Sequence, residues 1–307
     1  MSMQRITQRS VTQSSLAGLQ TNLSRLAKVQ EQLSSGRVIN RPSDSPSGTV
    51  TAMQLRSETR ATEQFVRNAA DGESWLSTID NSLTEMMPKI DYAKAAGLQA
   101  LNTGLSSAAA REALAAVVDA TRAELLTDAN TKYLGRPVFG GVTAGSDAYD
   151  SNGTYVGAAP PPAIGSVTPP AIVRTVAPGT EVRVDLTGVE VFESPTAGRN
   201  LFDVLKDVSA AIRNDSIGLE PLLGELDKVQ QKMINGHADV GARSVRVSNA
   251  QQTAKDTVIQ LTNSLTDVES TDVASAIVEM KLSEMSYQAA LAATSRAIQP
   301  SLVDWLR

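Results

Sequence analysis

The apolar positions of this chain fall into two long helical patterns separated by a shorter stretch of a different kind. From Gln4 to Ser35, leucines stand at Leu16, Leu19, Leu23, Leu26 and Leu33, stepping by three, four, three and seven, with Gln30 in the skipped place. This is a narrow a/d seam, not the wider stripe of a globular surface helix. It predicts a helix over 4–35 that ends at Gly36, where glycine accepts a left-handed conformation. The segment Arg37 to Gly48 holds two prolines and Ser43-Asp44-Ser45, which predicts a loop with Asp44 or Ser45 capping the next helix. That helix is expected over 49–101, with a seam of Leu76, Ile79, Leu83, Met86, Ile90 and Ala93 and a local kink at Pro88. Another is expected over 107–130, carrying Leu114, Val117, Val118, Thr121 and Leu125. About fifty helical residues at ~1.5 Å each make a rod of roughly 75 Å.

At Tyr133 the pattern changes. Up to Pro195 the chain is rich in Gly, Pro, Val and Thr, with turn signals at Asn152-Gly153 and Pro178-Gly179. Val182, Val184 and Leu186 alternate with polar neighbours, which predicts a strand over 180–192 with Gly188 as a turn or bulge before Val189 to Phe192. The proline-rich run from Ala158 to Ala171 is expected to be an extended loop. Helices resume over 198–214 and 219–235, and the longest run covers 242–298. Its first seam is Ala254, Val258, Leu261, Leu265 and Val268; its second is Val273, Ile277, Met280, Glu284, Tyr287, Leu291, Thr294 and Ile298. Between them Glu269-Ser270-Thr271-Asp272 predicts a bend, a re-capped helix or a local change of supercoil.

Neither terminal seam is stable alone in water, because helix stability comes mostly from packing an apolar face. The simplest solution pairs them. Residues 1–60 hold eight basic side chains against three acidic ones, and residues 256–307 hold seven acidic ones against three basic, and opposite signs select partner and orientation. The expected fold is therefore mainly α with a small β domain, its long N- and C-terminal helices forming an antiparallel coiled coil or helical bundle. Three parts are expected: N-terminal helical segments over 1–132, a β-rich domain of modest core exposed at the far end over 133–197, and returning C-terminal helices over 198–307.

Composition narrows the chemistry. A net charge of −5 argues against a nucleic-acid partner, which calls for a concentrated basic surface. No run approaches the roughly 20 apolar residues of a membrane span, so no membrane insertion is expected, and the first 30 residues lack the apolar core of a cleaved export signal. Cysteine is absent and His237 is the single histidine. A Cys/His zinc site or a Ser-His-Asp triad has almost nothing to be built from, and His237, following Asn235-Gly236, reads as a solvent-facing or capping residue at a helix junction. Asp147, Asp150, Asn152 and Gly153 lack the spacing and the glutamate of a calcium loop and read as a β-turn. The glycines at 135, 140, 141 and 145 lack the Lys-Ser/Thr of a phosphate loop. Asp267, Glu269 and Asp272 lie on a helix interruption and read as caps or solvated carboxylates; Met86, Met87, Met280 and Met285 read as seam or near-seam fillers. No catalytic, cofactor or metal residue is expected.

The segment Leu33 to Gly48 (LSSGRVINRPSDSPSG) after a leucine heptad resembles the N-terminal signature of the bacterial flagellin superfamily, and Arg67 to Ile79 (RNAADGESWLSTI) continues it. Asp272 to Leu306, with Tyr287-Gln288-Ala289-Ala290-Leu291 and Gln299-Pro300-Ser301-Leu302, is similar to the other end of that family. The loop Asn40, Arg41, Pro42, Ser43, Asp44, together with Tyr133 to Gly141 and Thr187 to Phe192, resembles the hook-filament junction branch, where flagellin itself usually has an Asp-Asp-Ala-Ala-Gly run. The resemblance implies a self-assembling subunit that forms a ring or short helical layer outside the cell, exported unfolded through the flagellar type III apparatus. The partners it implies are a junction protein on the hook side, flagellin on the other, and an export chaperone that holds the C-terminal helix. The carried-over residues are the seam (Leu16, Leu19, Leu23, Leu26, Leu33, Val258, Leu261, Leu265, Ile277, Met280, Tyr287, Leu291, Ile298) and the loop 40–44, which is either a capped connector, an intersubunit contact, or both. The rival readings are a main filament flagellin and a type III secreted needle-tip or effector protein. The proline-rich stretch over 158–171 has no counterpart in the resemblance.

Overall fold

The computed structural model describes residues 8–102, 107–143, 145, 147–159, 170–194, 198–214 and 217–298; of 8–12 and 296–298 it describes the backbone alone. Gln4 to Thr7, most of the proline-rich stretch, and the segment from Gln299 onward lie outside the described residues, as does the side chain of Ile298. Among the described residues, seven helices and two small antiparallel hairpins follow in the order α1 (Gln8–Ser35), α2 (Pro46–Leu101), α3 (Ala108–Ala129), β1 (Lys132–Tyr133), β2 (Arg136–Pro137), β3 (Val173–Ala177), β4 (Thr180–Arg183), α4 (Gly188–Phe192), α5 (Leu201–Arg213), α6 (Leu219–Glu269) and α7 (Val273–Ile298). The chain is mainly helical, as the periodicity requires.

Its residues form two compact units, 61–257 and the pair 1–60 with 258–307. The divisions fall inside α2 and α6, not at the ends of the β-rich stretch. In the unit of residues 61–257, α2 buries Leu76, Ile79, Leu83, Met86, Ile90 and Ala93, the three-four seam read from the sequence. Pro88 sits inside α2 without ending it. Ser107 caps α3 by accepting from the Ala110 N–H, and α6 adds Leu219, Leu226, Met233, Val240 and Val247 at heptad spacing.

Residues 133–194 share this core and have none of their own. Phe139, Tyr149 and Phe192 stack edge-on, and Tyr149 meets Phe202 of α5 at 4.9 Å between ring centroids. The hairpins are short: Lys132 pairs with Pro137 and Tyr133 with Arg136, while Val173 pairs with Arg183 and a bulge separates Thr175 from Ala177.

Two expectations are corrected here. The strand expected through Phe192 stops at Arg183, and Gly188–Phe192 is the short helix α4. Thr187-Gly188-Val189-Glu190 is a capping box, with the Glu190 carboxylate accepting from the Thr187 N–H at 2.9 Å and from its hydroxyl at 2.8 Å. The junction expected at Asn235-Gly236-His237 does not exist, since α6 runs through it. Gly236 serves close approach instead: a Cβ there would lie 3.3 Å from Val191 of α4. His237 is half-buried with Nε2 2.8 Å from the Asp80 carboxylate of α2.

Along α1, α2 and α6 many hydroxyls turn back onto their own helix. Thr21, Thr51, Thr59, Thr257, Thr262 and Thr266 each donate to the carbonyl four residues earlier, at 2.7 to 3.2 Å.

Candidate functional site: the face of the paired terminal helices

The unit formed by residues 1–60 and 258–307 begins with a pairing of α1 and α7. Gly36 ends α1 with φ +68°, and the chain turns so that the Thr271 N–H reaches the Gly36 carbonyl at 3.0 Å and the Val38 N–H reaches the Glu269 carbonyl at 2.8 Å. The end of α1 thus meets the start of α7, and the two helices run antiparallel.

The shielded positions lie on one face of each helix. In α1 these run Ser15, Leu19, Asn22, Leu26, Val29 and Leu33, with Gln32 beside them; in α7 they run Ala276, Met280, Ser283, Tyr287, Ala290 and Thr294, with Glu284 beside them, both in three-four alternation. The expected seam is therefore split. Leu19, Leu26, Leu33, Met280 and Tyr287 are half-buried, as are Val258, Leu261 and Leu265 of α6. Leu16 and Leu23 remain 50% exposed, Ile277 46% and Leu291 44%. The buried positions of α7 are small (Ala276, Ser283, Thr294), Met280 and Tyr287 are half-buried between them, and Ile277 and Leu291 stand on the flanks. The expectation that Met285 is a seam or near-seam filler is also corrected, since it is exposed along with Val278 and Leu282. Sequence reasoning passed over Val29, Ala276 and Ser283; the step of seven between Leu26 and Leu33, filled at Val29, was the available signal.

The loop 36–45 is built by its own polar atoms. Asp44 accepts from the Arg41 N–H at 2.9 Å and the Asn40 N–H at 3.2 Å and pairs with Lys28 at 3.1 Å. The Arg41 backbone bond, followed by Lys28, holds the Asp44 carboxyl below its ordinary value. Ser45, not Asp44, caps α2, its hydroxyl accepting from the Gly48 N–H at 3.2 Å. Arg41 reaches Glu31 at 3.3 Å, the Asn40 amide bonds the Arg37 carbonyl at 3.1 Å, and Pro42 and Ser43 are exposed.

The break between α6 and α7 is equally organised. Asp272 caps α7 through the N–H groups of Ala274 and Ser275. The Ser275 hydroxyl and then these backbone bonds hold its carboxyl below the usual range. Glu269 is buried and paired with Arg56 of α2 at 2.7 Å, with Arg37 3.9 Å away. Arg56 joins Met53, Thr59, Arg60 and Leu265 around an open groove of about 440 Å³. Val29, Ala52 and Ala276 are the buried apolar side chains of this unit among the described residues, which is little for two paired helices and the ends of two more.

Among the described residues no group of His, Cys, Asp and Glu is placed to hold a metal, and no helix is long and apolar enough to cross a membrane. Asp150 does what a turn requires: its carboxylate accepts from the N–H groups of Asn152 and Thr154. What this surface offers is apolar side chains at helical spacing, rimmed by arginines and carboxylates.

Residues 6–144 match the bacterial flagellin N-terminal helical region, and residues 223–306 match the bacterial flagellin C-terminal helical region. The chain belongs to the bacterial flagellin family. Among curated relatives, Flagellin B of Helicobacter pylori is 34% identical over 114 residues, which is 37% of this chain and 22% of the relative. Curated relatives of this flagellin family are matched over about a third of their own length at most. Among solved structures, FlgL of Bacillus cereus superposes with a TM-score of 0.57 at 22% identity, covering 69% of this chain and 99% of that one. The flagellar hook associated protein-3 of Legionella pneumophila superposes with a TM-score of 0.58 at 15% identity, covering 70% and 98%. At these identities the superpositions show a shared flagellin-like fold.

Proposed function

We propose that this flagellin-family chain is a non-catalytic structural subunit joining the hook of the bacterial flagellum to its filament. The observation that carries the reading is the terminal unit. After α1 and α7 have paired, Leu16, Leu23, Ile277 and Leu291 still stand about half exposed, and few apolar side chains of that unit are buried. Apolar area is worth about 25 cal/mol per Å² when removed from water, and ordering the termini opposes it. Neighbouring copies supply the missing cover, so the termini become rigid as the subunits assemble. The chain's assembly seam is then the set of leucines and their α6 and α7 counterparts, with loop 40–44 lying at the subunit boundary.

The junction reading is favoured over a main filament flagellin by the extent of the two likenesses, which reach nearly the full length of the hook-associated structures and about a third at most of the curated flagellins. In this reading the subunit passes unfolded through the type III export apparatus with a chaperone on its C-terminal helix. It works outside the cell in a ring or short helical layer, with a hook-side junction protein below and flagellin above.

Deleting the gene from its motile host tests this. Hooks that persist without filaments, with flagellin shed into the medium, support a junction subunit; intact filaments reject it. Filaments grown from seeds by the purified chain alone would instead make it a flagellin.

A further inference from the structure

The β1–β2 hairpin carries two unfavourable features, a strained turn and an exposed leucine at its tip. Its turn is Leu134-Gly135, with φ +48° and +79°, the mirror-image geometry that two-residue hairpins favour and that Asn-Gly fills without strain. Leu134 is the one non-glycine residue with positive φ among the described residues, a conformation that crowds a leucine Cβ against the following carbonyl. Its side chain is 80% exposed. The flanking residues hold the turn in place: the Tyr133 ring meets Trp75 edge-on at 5.4 Å between centroids, and its hydroxyl bonds Asp71 at 3.2 Å. Arg136 lies 5.7 Å from the centre of the Trp75 ring and has no carboxylate partner among the described residues. Strained residues held by their surroundings point to a use for the strain.

In the same unit, α2 and α3 leave a groove of about 370 Å³ lined by Pro88, Tyr92, Val117, Ala120 and Thr121, with Lys89 and Glu124 at its lip. Pro88 is exposed inside α2, where a proline removes a helix hydrogen bond. Lys89 is held by Asp128 at 2.6 Å, leaving the largely exposed Glu124 carboxylate 3.9 Å off.

We propose that Leu134 of one copy seats in the α2–α3 groove of a second copy, with Arg136 meeting Glu124. The apolar tip matches the apolar lining, and an unpaired cation matches an outlying carboxylate. When each copy gives its tip to one neighbour and receives the tip of another, the contact is heterologous and propagates into rings or helical layers. The inference rests on the reading that copies of this chain assemble side by side.

The chain has no cysteine of its own, which gives disulfide trapping a clean background. Full-length Leu134→Cys and Tyr92→Cys are mixed at a concentration at which the unsubstituted chain sediments as an oligomer, and then oxidised. Mixed dimers are expected well above the random share, falling about tenfold with Glu124→Arg in the Tyr92→Cys protein and returning when Arg136→Glu is added to its partner. Oligomers with mixed dimers at or below the random share overturn the contact and leave assembly through the terminal helices standing; a chain that never sediments as an oligomer removes both. Leu134→Asn provides a second arm. Asparagine accepts the left-handed conformation, so its unfolding midpoint should hold or rise while self-association weakens about tenfold; undiminished association would also overturn the contact.

Discussion

At the scale of single residues, the centre of the 61–257 unit is electrostatic. The Arg183 side chain is fully buried, bonded twice to Glu190 at 2.7 Å and twice to Asp185 at 3.0 Å. Asp185 also accepts from the Ile172 N–H at 2.8 Å, tying the cluster to the start of β3. A charge stripped of water is tolerable only with its partners in place. Arg183→Met should therefore lower unfolding free energy in urea by about 3–5 kcal/mol, because two carboxylates stay buried without their cation. Burial pushes the Glu190 carboxyl up, but Arg183 and the Thr187 N–H outweigh it and hold the folded-state value below the ordinary 4.5. Ionised Glu190 thus stabilises the fold above that pH, and the contribution is lost as pH falls through the lower folded value. The midpoint of thermal unfolding should drop on acidification below pH 4.5, and Glu190→Gln should flatten that acid limb. None of this was legible beforehand. Alternation around Val182 and Val184 reads Arg183 as an outward strand position, and only the fold reveals that both of its sides are covered.

At the scale of elements, legibility followed the regularity of the pattern. The α2 seam came through residue by residue because Leu, Ile and Met repeat there without a gap, and the α6–α7 break was visible as four polar residues between two seams. The pairing of α1 with α7 was readable as a pairing, but its face was not. Small residues at Ala276, Ser283, Ala290 and Thr294 stand on that face, and a search for large apolar side chains lands one position away from two of them, at Ile277 and Leu291. Gly188 and Gly236 misled for a related reason: glycine there reports the close approach of α4 and its neighbours, not the end of an element. The tie between loop and break is equally invisible to periodicity, since Arg56 and Glu269 are 213 positions apart. Arg56→Met should loosen it. Amide exchange at Val38 and Thr271, whose N–H groups cross from loop to break, should accelerate at least about tenfold, or roughly 1.4 kcal/mol of opening energy, while core amides in 61–257 keep their protection.

For the whole molecule, the continuous apolar core lies in residues 61–257, and the terminal unit by itself buries only Val29, Ala52 and Ala276 among the apolar side chains of its described residues. Cooperative unfolding of the isolated subunit should therefore report mainly on 61–257. Leu23→Asp and Leu291→Asp sit on half-exposed positions, where substitutions usually change stability by less than about 0.5 kcal/mol. Monomer melts should be nearly unchanged, yet incorporation of the variants into flagella should fail; normal incorporation would mean that these flanks face only solvent. The family was legible from the loop after α1 and from the two ends of the chain. The arrangement of residues 133–194 was not, because aromatic stacking among Phe139, Tyr149, Phe192 and Phe202 joins positions that no local period connects.

The threonines that donate to their own helix carbonyls bear on the proposed packing of these helices against neighbouring copies. A hydroxyl satisfied within its helix has already given up most of its need for water, so covering it strands no donor. Thr262 and Thr266 of α6 and Thr51 and Thr59 of α2 keep their helices wettable in dilute solution yet can be dried at small expense. A surface of this kind can stay soluble alone and still be dehydrated against a neighbour without any side chain having to change its bonding.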